Sequence, residues 1–267
     1  MNKTQSPNYQ IRALERALNI LEAFTAPDPK LDLDALCERS QLPKSTVFKM
    51  LAVLERRGYV QKGKEDGAYR IGFQAYEVGN LYLAGLTLFG IVHPILSGLA
   101  ARFPQSSAHL AVLSPTVTQI VYLDIVSTNV FTSLAPVGSH YPAHSTALGK
   151  CLLAGLPEPE LRRRMAQLEM PKLTPCTIDD PQVLCEHLKL VRTQGYAIDD
   201  EETALRYVCV AFPVRDRRGA TIAAISTSHV KEAMTDDIST VIAEMRQAAD
   251  SVNRSLGYVP SSAPDGP

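Results

Sequence analysis

The stretch Leu42-Pro43-Lys44-Ser45-Thr46-Val47-Phe48-Lys49-Met50-Leu51-Ala52-Val53-Leu54-Glu55-Arg56-Arg57-Gly58-Tyr59-Val60-Gln61-Lys62 decides how the N-terminal part of the chain is read. Pro43 suits a first helical turn, because its missing N–H would have had no intrahelical partner. Val47, Leu51 and Leu54 then form one apolar face of a helix. Lys44, Ser45, Thr46, Phe48 and Lys49 are left on its exposed N-terminal side. Gly58 ends the run, and Tyr59 to Lys62 reads as a short strand.

Upstream, Asp32 is a candidate N-cap for a short helix from Leu33 that turns Leu33, Leu36 and Cys37 inward before Ser40 to Leu42 redirect the chain. Further upstream, Ile11 to Phe24 places Leu14, Ala17, Leu18, Leu21 and Phe24 on one helical face, and Pro27 and Pro29 end it. Downstream, the turn-rich Gly63 to Gly67 joins the first strand to a second at Ala68 to Ile71. Helix, short helix, turn, helix and hairpin make a winged helix-turn-helix, whose third helix enters the major groove of double-stranded DNA. Lys44 and Lys49 then reach phosphate or guanine, Ser45 and Thr46 phosphate or either base, and Phe48 a thymine methyl. Lys62 and Lys64 at the hairpin tip suit phosphate or the neighbouring minor groove. A lysine-bearing helix face is otherwise simply solvated, and it is the agreement of tip, helix start and charge that favours DNA.

The charge distribution agrees. The 267 residues hold 27 basic and 28 acidic side chains, so the net charge says little. Between Arg39 and Lys64, however, lie Arg39, Lys44, Lys49, Arg56, Arg57, Lys62 and Lys64, with Glu55 the one acid, a local positive footprint. An apolar fraction of 45% excludes global disorder, and the length suits two domains. Cys37, Cys151, Cys176, Cys185 and Cys209 show no repeated short spacing, so neither a disulfide framework nor a CxxC zinc site is indicated. Met1 to Tyr9 carry no apolar signal region. A reducing, cytoplasmic setting is the expectation. The uncharged run between Glu77 and Arg102 is long enough to span a bilayer, but Pro94 divides it into shorter pieces, so buried or interfacial helices are expected rather than a membrane span.

Residues 1–72 are thus read as the DNA-binding domain, and 73–90 as a linker helix. Phe73, Tyr76, Leu81, Leu83, Leu86, Leu88 and Phe89 are spread over more than one face of that helix, which points to a dimer interface or to a core helix of the next domain. Residues 91–257 mix strands and helices as an α+β domain. Strands are read at Ser106–Leu113, Gln119–Val126, Val130–Leu134, Ala197–Asp199, Tyr207–Arg215 and Ala220–Ser228, with a tight turn over Asp216 to Gly219. Pro136 to Pro142 reads as a loop, and helices are expected at Ala143–Ala154, 158–168, 181–194 and Asp236–Leu256. Residues 258–267 are expected to form a disordered tail.

Several motifs carry a family resemblance. Ile11-Arg12-Ala13-Leu14-Glu15-Arg16-Ala17-Leu18, the Leu42 to Val47 helix start and Leu54 to Val60 resemble the DNA-binding module of IclR-type transcriptional regulators. The second half agrees through His144-Ser145-Thr146-Ala147-Leu148-Gly149-Lys150-Cys151-Leu152-Leu153-Ala154, through Gln194-Gly195-Tyr196-Ala197-Ile198-Asp199-Asp200-Glu201-Glu202 and through Cys209-Val210-Ala211-Phe212-Pro213-Val214. The match spans roughly residues 10–256 in order. It implies a homodimer or a dimer of dimers on a pseudo-palindromic operator, and a GAF-like C-terminal domain that binds a small organic effector and changes promoter binding or activity. It implies no enzyme activity, cofactor or metal.

The same resemblance places an effector site at Thr146 and Ala147 at a helix start, Asp199, Cys209, Ser226 and Ser228. Independently, a helix N-terminus offers free N–H groups to a carboxylate, and Ser226 and Ser228, two apart on a strand, share a face. Leu134, Tyr141 and Phe212 are candidates for holding an organic acid's body. The chain departs from the family at Arg206, where glycine is common, at Val208, where a polar residue is frequent, and at His229, where glycine is usual. Arg206 is either a second anchor for an acid or a surface residue.

Other readings use the same residues. Cys209 or Cys151 with His144 and Asp199 supplies the residue types of a cysteine-dependent small-molecule hydrolase, without an elbow or oxyanion motif. His140 and His144 with Cys151 suggest zinc, but Pro142 breaks the helical spacing. Cys209 is equally readable as a small buried residue, and the two serines as hydroxyls tied to backbone.

Overall fold

The computed structural model describes residues 11–25, 28–85, 87–116, 118–128 and 136–258. Two compact units divide the chain, Met1–Leu86 and Thr87–Pro267.

In the first unit α1 (Arg12–Glu22), α2 (Leu33–Ser40) and α3 (Lys44–Arg56) pack around a small core, and β1 (Lys30–Leu31), β2 (Val60–Lys62) and β3 (Tyr69–Ile71) form a sheet in the order β1-β3-β2. The Asp32 carboxylate accepts the Ala35 N–H at 2.8 Å, which fixes the start of α2. Gln41 takes a left-handed conformation (φ 55°) in the turn to α3. Val47, Leu51 and Leu54 are buried against Ile20, Leu36, Val60 and Tyr69. The face read for the first helix needs correcting. Ala17, Ile20, Leu21 and Phe24 line the core side, whereas Leu14 and Leu18 are exposed with Ile11 on the flank. An apolar stripe wider than the neighbouring helices leaves its outer edge uncovered.

The linker region is two helices, α4 (Phe73–Gly85) and α5 (Thr87–Arg102), with position 86 outside the described residues. The side chains of Leu81, Leu83 and Leu86 also fall outside them. Contrary to the sequence expectation, Pro94 does not divide the segment but lies inside α5. Its ring removes one backbone bond to the Gly90 carbonyl, and both residues are exposed.

The second unit is built on a six-stranded antiparallel sheet of order β6-β5-β4-β9-β8-β7. Its strands are β4 (Ser106–Leu113), β5 (Gln119–Ser127), β6 (His140–Pro142), β7 (Ala197–Asp200), β8 (Tyr207–Arg215) and β9 (Thr221–Val230). The helices α6 (Ala147–Ala154), α7 (Glu158–Met165), α8 (Pro181–Gln194) and α9 (Ile238–Ser255) complete it. Helix α6 packs across the sheet with α8 behind it, and α5 and α9 pack together against β4, β5, β8 and β9. With helices on the sheet, the inner strands are buried along most of their length, and β9 runs Ala223 to Thr227 without an exposed residue.

The boundaries around α6 differ from the sequence reading. The loop before α6 contains edge strand β6, which pairs Ile120 with Tyr141 and ends at Pro142, where a proline costs no ladder bond. Helix α6 starts at Ala147 rather than Ala143, because Thr146 caps it. The expected strand at Val130–Leu134, the side chain of Leu134 and the tail from 259 onward lie outside the described residues. Among the described residues no helix is long and apolar enough to cross a membrane.

Candidate functional site: a pocket at a helix start and a basic helix face

The second unit holds a cavity enclosing about 540 Å³, adjoining solvent included, between the sheet and the start of α6. Its polar floor is set by strand register. Ser107 on β4 faces Ser228 on β9, Ser228 faces Cys209 on β8, and Cys209 faces Asp199 on β7, a row across four neighbouring strands. One step along, His109 faces Ser226. Paired residues share a face, so the row points to one side of the sheet. Thr146, Ala147 and Leu148 line the cavity from the helix start, Thr203 and Ala204 from the loop after β7, Tyr207 from the start of β8, and Tyr122 and Tyr141 from β5 and β6.

Thr146, Ala147, Asp199, Cys209, Ser226 and Ser228, all six residues carried over from the family, therefore lie around one space. The Thr146 hydroxyl accepts the Gly149 N–H at 3.1 Å and donates to the Pro142 carbonyl at 3.1 Å. The N–H groups of Ala147 and Leu148, in the first turn, have no intrahelical acceptor and the positive end of the helix dipole behind them. Gly149 is required beneath them, since a Cβ there would come within 2.3 Å of the Ala143 carbonyl oxygen. Among the described residues no lysine or arginine lines the cavity.

Asp199 is buried, and its Oδ1 accepts the N–H groups of Glu202 (2.8 Å) and Thr203 (3.2 Å), which folds the chain after β7 over the cavity. Burial holds its carboxyl above the ordinary range, against the opposing pull of Thr203 and Lys150. Behind this wall Lys150 on α6 is wholly buried, and its ammonium donates to the Ile198 carbonyl at 2.6 Å and to the Glu202 carboxylate. The Glu202 carboxyl is also raised by burial, and its Oε2 is buried without a partner. Thr203 Oγ donates to Ser145 Oγ at 3.2 Å, a second tie between loop and helix start.

His109 and Tyr122 were not singled out from sequence. His109 is buried with Nδ1 3.2 Å from the Ser226 hydroxyl, and burial lowers its pKa to about 4, so the ring is neutral. Its ring meets Tyr122 edge-on, and Tyr122 meets Tyr141 the same way. Polar side chains two apart in a buried strand, Ser107 and His109, were the available signal. Of the residues suggested for an acid's body, Tyr141 lines the cavity. Phe212 does not, being buried in a stack with Tyr196 under the Arg246 guanidinium. Arg206 is a surface residue paired with Glu232 at 2.8 Å. His229 is buried away from the cavity, 3.0 Å from the Thr227 hydroxyl and edge-on to Phe103, with its pKa lowered to about 4 by burial.

In the first unit Lys44, Ser45, Phe48 and Lys49 are exposed at the start of α3, and Thr46 is half-buried. Lys44 is held by Asp34 of α2 at 2.6 Å. Lys62 lies over the Tyr69 ring at 5.3 Å, and Lys64 is exposed at the hairpin tip. Elsewhere, Cys151 donates to the Ala211 carbonyl and Cys209 to Ser228, and burial pushes the Cys151 thiol up to about 12. Burial also raises Cys209, Asp199 adding to it. His144 contacts the Pro171 carbonyl. Among the described residues no group of three or more His, Cys, Asp or Glu side chains is placed to hold a metal ion.

Comparison with known proteins gives matches along most of the chain. Residues 13–63 match the IclR helix-turn-helix domain, and residues 80–254 match the bacterial transcriptional regulator IclR C-terminal domain. The chain is 32% identical over 229 residues to the transcriptional repressor IclR of Escherichia coli (strain K12), covering 85% of this chain and 83% of that protein. It is 30% identical over 250 residues to the HTH-type transcriptional regulator XynR of the same organism, covering 93% and 98%. The fold is similar, with a TM-score of 0.80 at 23% identity over 91% of this chain and 98% of the other, to an IclR homolog from Microbacterium hydrocarbonoxydans complexed with 4-hydroxybenzoate.

Proposed function

This chain belongs to the IclR family of DNA-binding transcriptional regulators, and on that premise we propose that a small organic carboxylate, bound in the cavity of its second unit, controls its hold on a pseudo-palindromic operator. The observation that carries the reading is the meeting of the α6 N-terminus with Ser107, Asp199, Cys209, Ser226 and Ser228 around one pocket. Free N–H groups and hydroxyls suit an anionic head, and Tyr122, Tyr141, Leu148 and Ala204 suit an apolar body. The Microbacterium hydrocarbonoxydans homolog takes an aromatic acid, which makes 4-hydroxybenzoate a reasonable first probe.

On the DNA side we assign Lys49, Ser45, Thr46, Phe48 and Lys44 of α3 to the major groove, and Lys62 and Lys64 to phosphate or the minor groove. A homodimer or dimer of dimers matches a pseudo-palindrome. The exposed flank Ile11, Leu14 and Leu18 and the exposed Phe73, Tyr76 and Val78 of α4 are the apolar surface available for it. The cytoplasm is the setting this role requires. A cysteine hydrolase is less well supported, because among the described residues neither Cys151 nor Cys209 is hydrogen-bonded to an imidazole.

The test is a mobility shift on DNA upstream of the protein's own gene and its neighbours, at two salt concentrations, with excess non-specific competitor and with candidate acids. A discrete competitor-resistant complex altered by one acid supports the reading. No specific complex on any fragment, together with turnover of a small ester that one cysteine substitution abolishes, would replace it with the hydrolase.

A further inference from the structure

We propose that the cavity takes up its carboxylate together with one proton, carried by Asp199, so that the residue meets the effector as a carboxylic acid and donates a hydrogen bond to it. The inference rests on the carboxylate reading above and adds to it how the charge is balanced.

The argument is a charge count. Asp199 and Glu202 are both buried, and Lys150 is the one cation that contacts either of them among the described residues. Its ammonium is spent on Glu202 and on the Ile198 carbonyl. The other titratable groups around Asp199 and the cavity supply no positive charge, and His109 on β4, in the same wall, is neutral because burial lowers its pKa to about 4. Cys209 on β8 and Tyr122 on β5 are both held neutral by burial. His144, before α6, and His187, on α8, stand near Lys150, and burial lowers both. With both carboxyls ionised, an incoming carboxylate would be a third negative charge against one ammonium, in a cavity with no lysine or arginine in its wall among the described residues. The α6 N-terminus offsets roughly half a charge. A proton supplies the rest.

Asp199 is placed to hold that proton. Both backbone donors fall on Oδ1, which leaves Oδ2 as the oxygen able to carry hydrogen while Oδ1 goes on accepting. A carboxyl donating to a carboxylate forms a short charge-assisted bond, stronger than a neutral one. The direction of Asp199's displacement, upward by burial, agrees. Atoms balance: the effector anion and one solvent proton enter, and no covalent bond in either partner changes.

The test is titration calorimetry on the full-length protein with acetate, pyruvate, succinate, benzoate and 4-hydroxybenzoate, in two buffers of different ionisation enthalpy. For any acid that binds, the expected result is net proton uptake, approaching one proton at pH values above the titration of free Asp199, and an affinity that falls about tenfold per pH unit over that range. Asp199→Asn should bind the same acid with no proton uptake and a flat pH profile. Its folding is checked by retained DNA binding. Binding with zero uptake in the unsubstituted protein overturns the proposal and leaves the carboxylate reading standing. Failure of every acid to bind a folded protein overturns both. Detection of an ionised Asp199 in the bound state, by the chemical shift of its carboxyl carbon, also overturns the proposal.

Discussion

Cys209 and Ser228 are directly paired across β8 and β9, and the Cys209 thiol donates to the Ser228 hydroxyl at 3.2 Å on the cavity floor. The thiolate is the reactive form of cysteine, and burial and Asp199 both disfavour it here. Cys176 is exposed. A disulfide reagent at pH 8 should modify Cys176 at least about tenfold faster than Cys209. Mass-spectrometric mapping of labelled peptides over time decides this, and equal rates would place Cys209 in a more open or more basic setting than the cavity floor.

Acid should destabilise the second unit through two histidines. His109 and His229 are buried with pKa values lowered to about 4, whereas an unfolded histidine titrates near 6.5. Between those values the unfolded chain binds protons that the folded chain refuses. Stability is therefore intact above about pH 6.5 and falls as pH drops toward 4, each histidine accounting for about 3 kcal/mol at the low end. Urea unfolding at pH 7 and pH 5 should show the loss, and a smaller loss in His229→Gln.

The buried ion pair should behave asymmetrically. Lys150→Met leaves Glu202 buried without its ammonium, a loss of about 3–5 kcal/mol. Lys150→Met with Glu202→Leu removes the stranded charge and should recover most of it. Denaturant midpoints of the three proteins test this, and a double variant as unstable as the single would mean that the pair is not the reason.

On DNA, Lys49→Ala should weaken binding to every sequence tested and reduce the slope of log affinity against log salt by about 1. Lys44 differs, because Asp34 holds it at 2.6 Å in an exposed pair. Such pairs are weak, so Asp34→Asn should raise affinity at low salt by freeing the ammonium and removing an acid near phosphate. Fluorescence anisotropy at several salt concentrations measures both.

Much of the second unit was legible because its boundaries are written in local chemistry. Asp180 and Pro181 open α8 and Gly195 closes it in a left-handed conformation, so the expected bounds and the observed ones coincide. Strand β8 ends at a glycine-containing turn and was read with its observed limits. Strand β1 was missed because two residues have no periodicity of their own and are held only by pairing with β3. The first helix was misread on one flank because burial there is decided by what α2 and α3 cover. His109 and Tyr122 went unnoticed for a related reason. Where helices cover a strand, polar and apolar residues no longer sort by face, and only register with neighbours shows which space a side chain enters. Lys150 is the sharpest case, since a lysine in a helix reads as solvated until a glutamate fifty-two residues away is known to meet it.

The polar row Ser107, Ser228, Cys209 and Asp199 takes one side chain from each of four strands, and the ladder that holds those strands in register is made by backbone groups. Exchanging Ser107, Ser228 or Cys209 for another small side chain removes no ladder bond. On the proposed reading, recognition is thereby uncoupled from architecture: descendants of one ancestral sensor can drift toward new signals by single substitutions on the floor, while the start of α6 and the helix-turn-helix unit stay under their own separate selection.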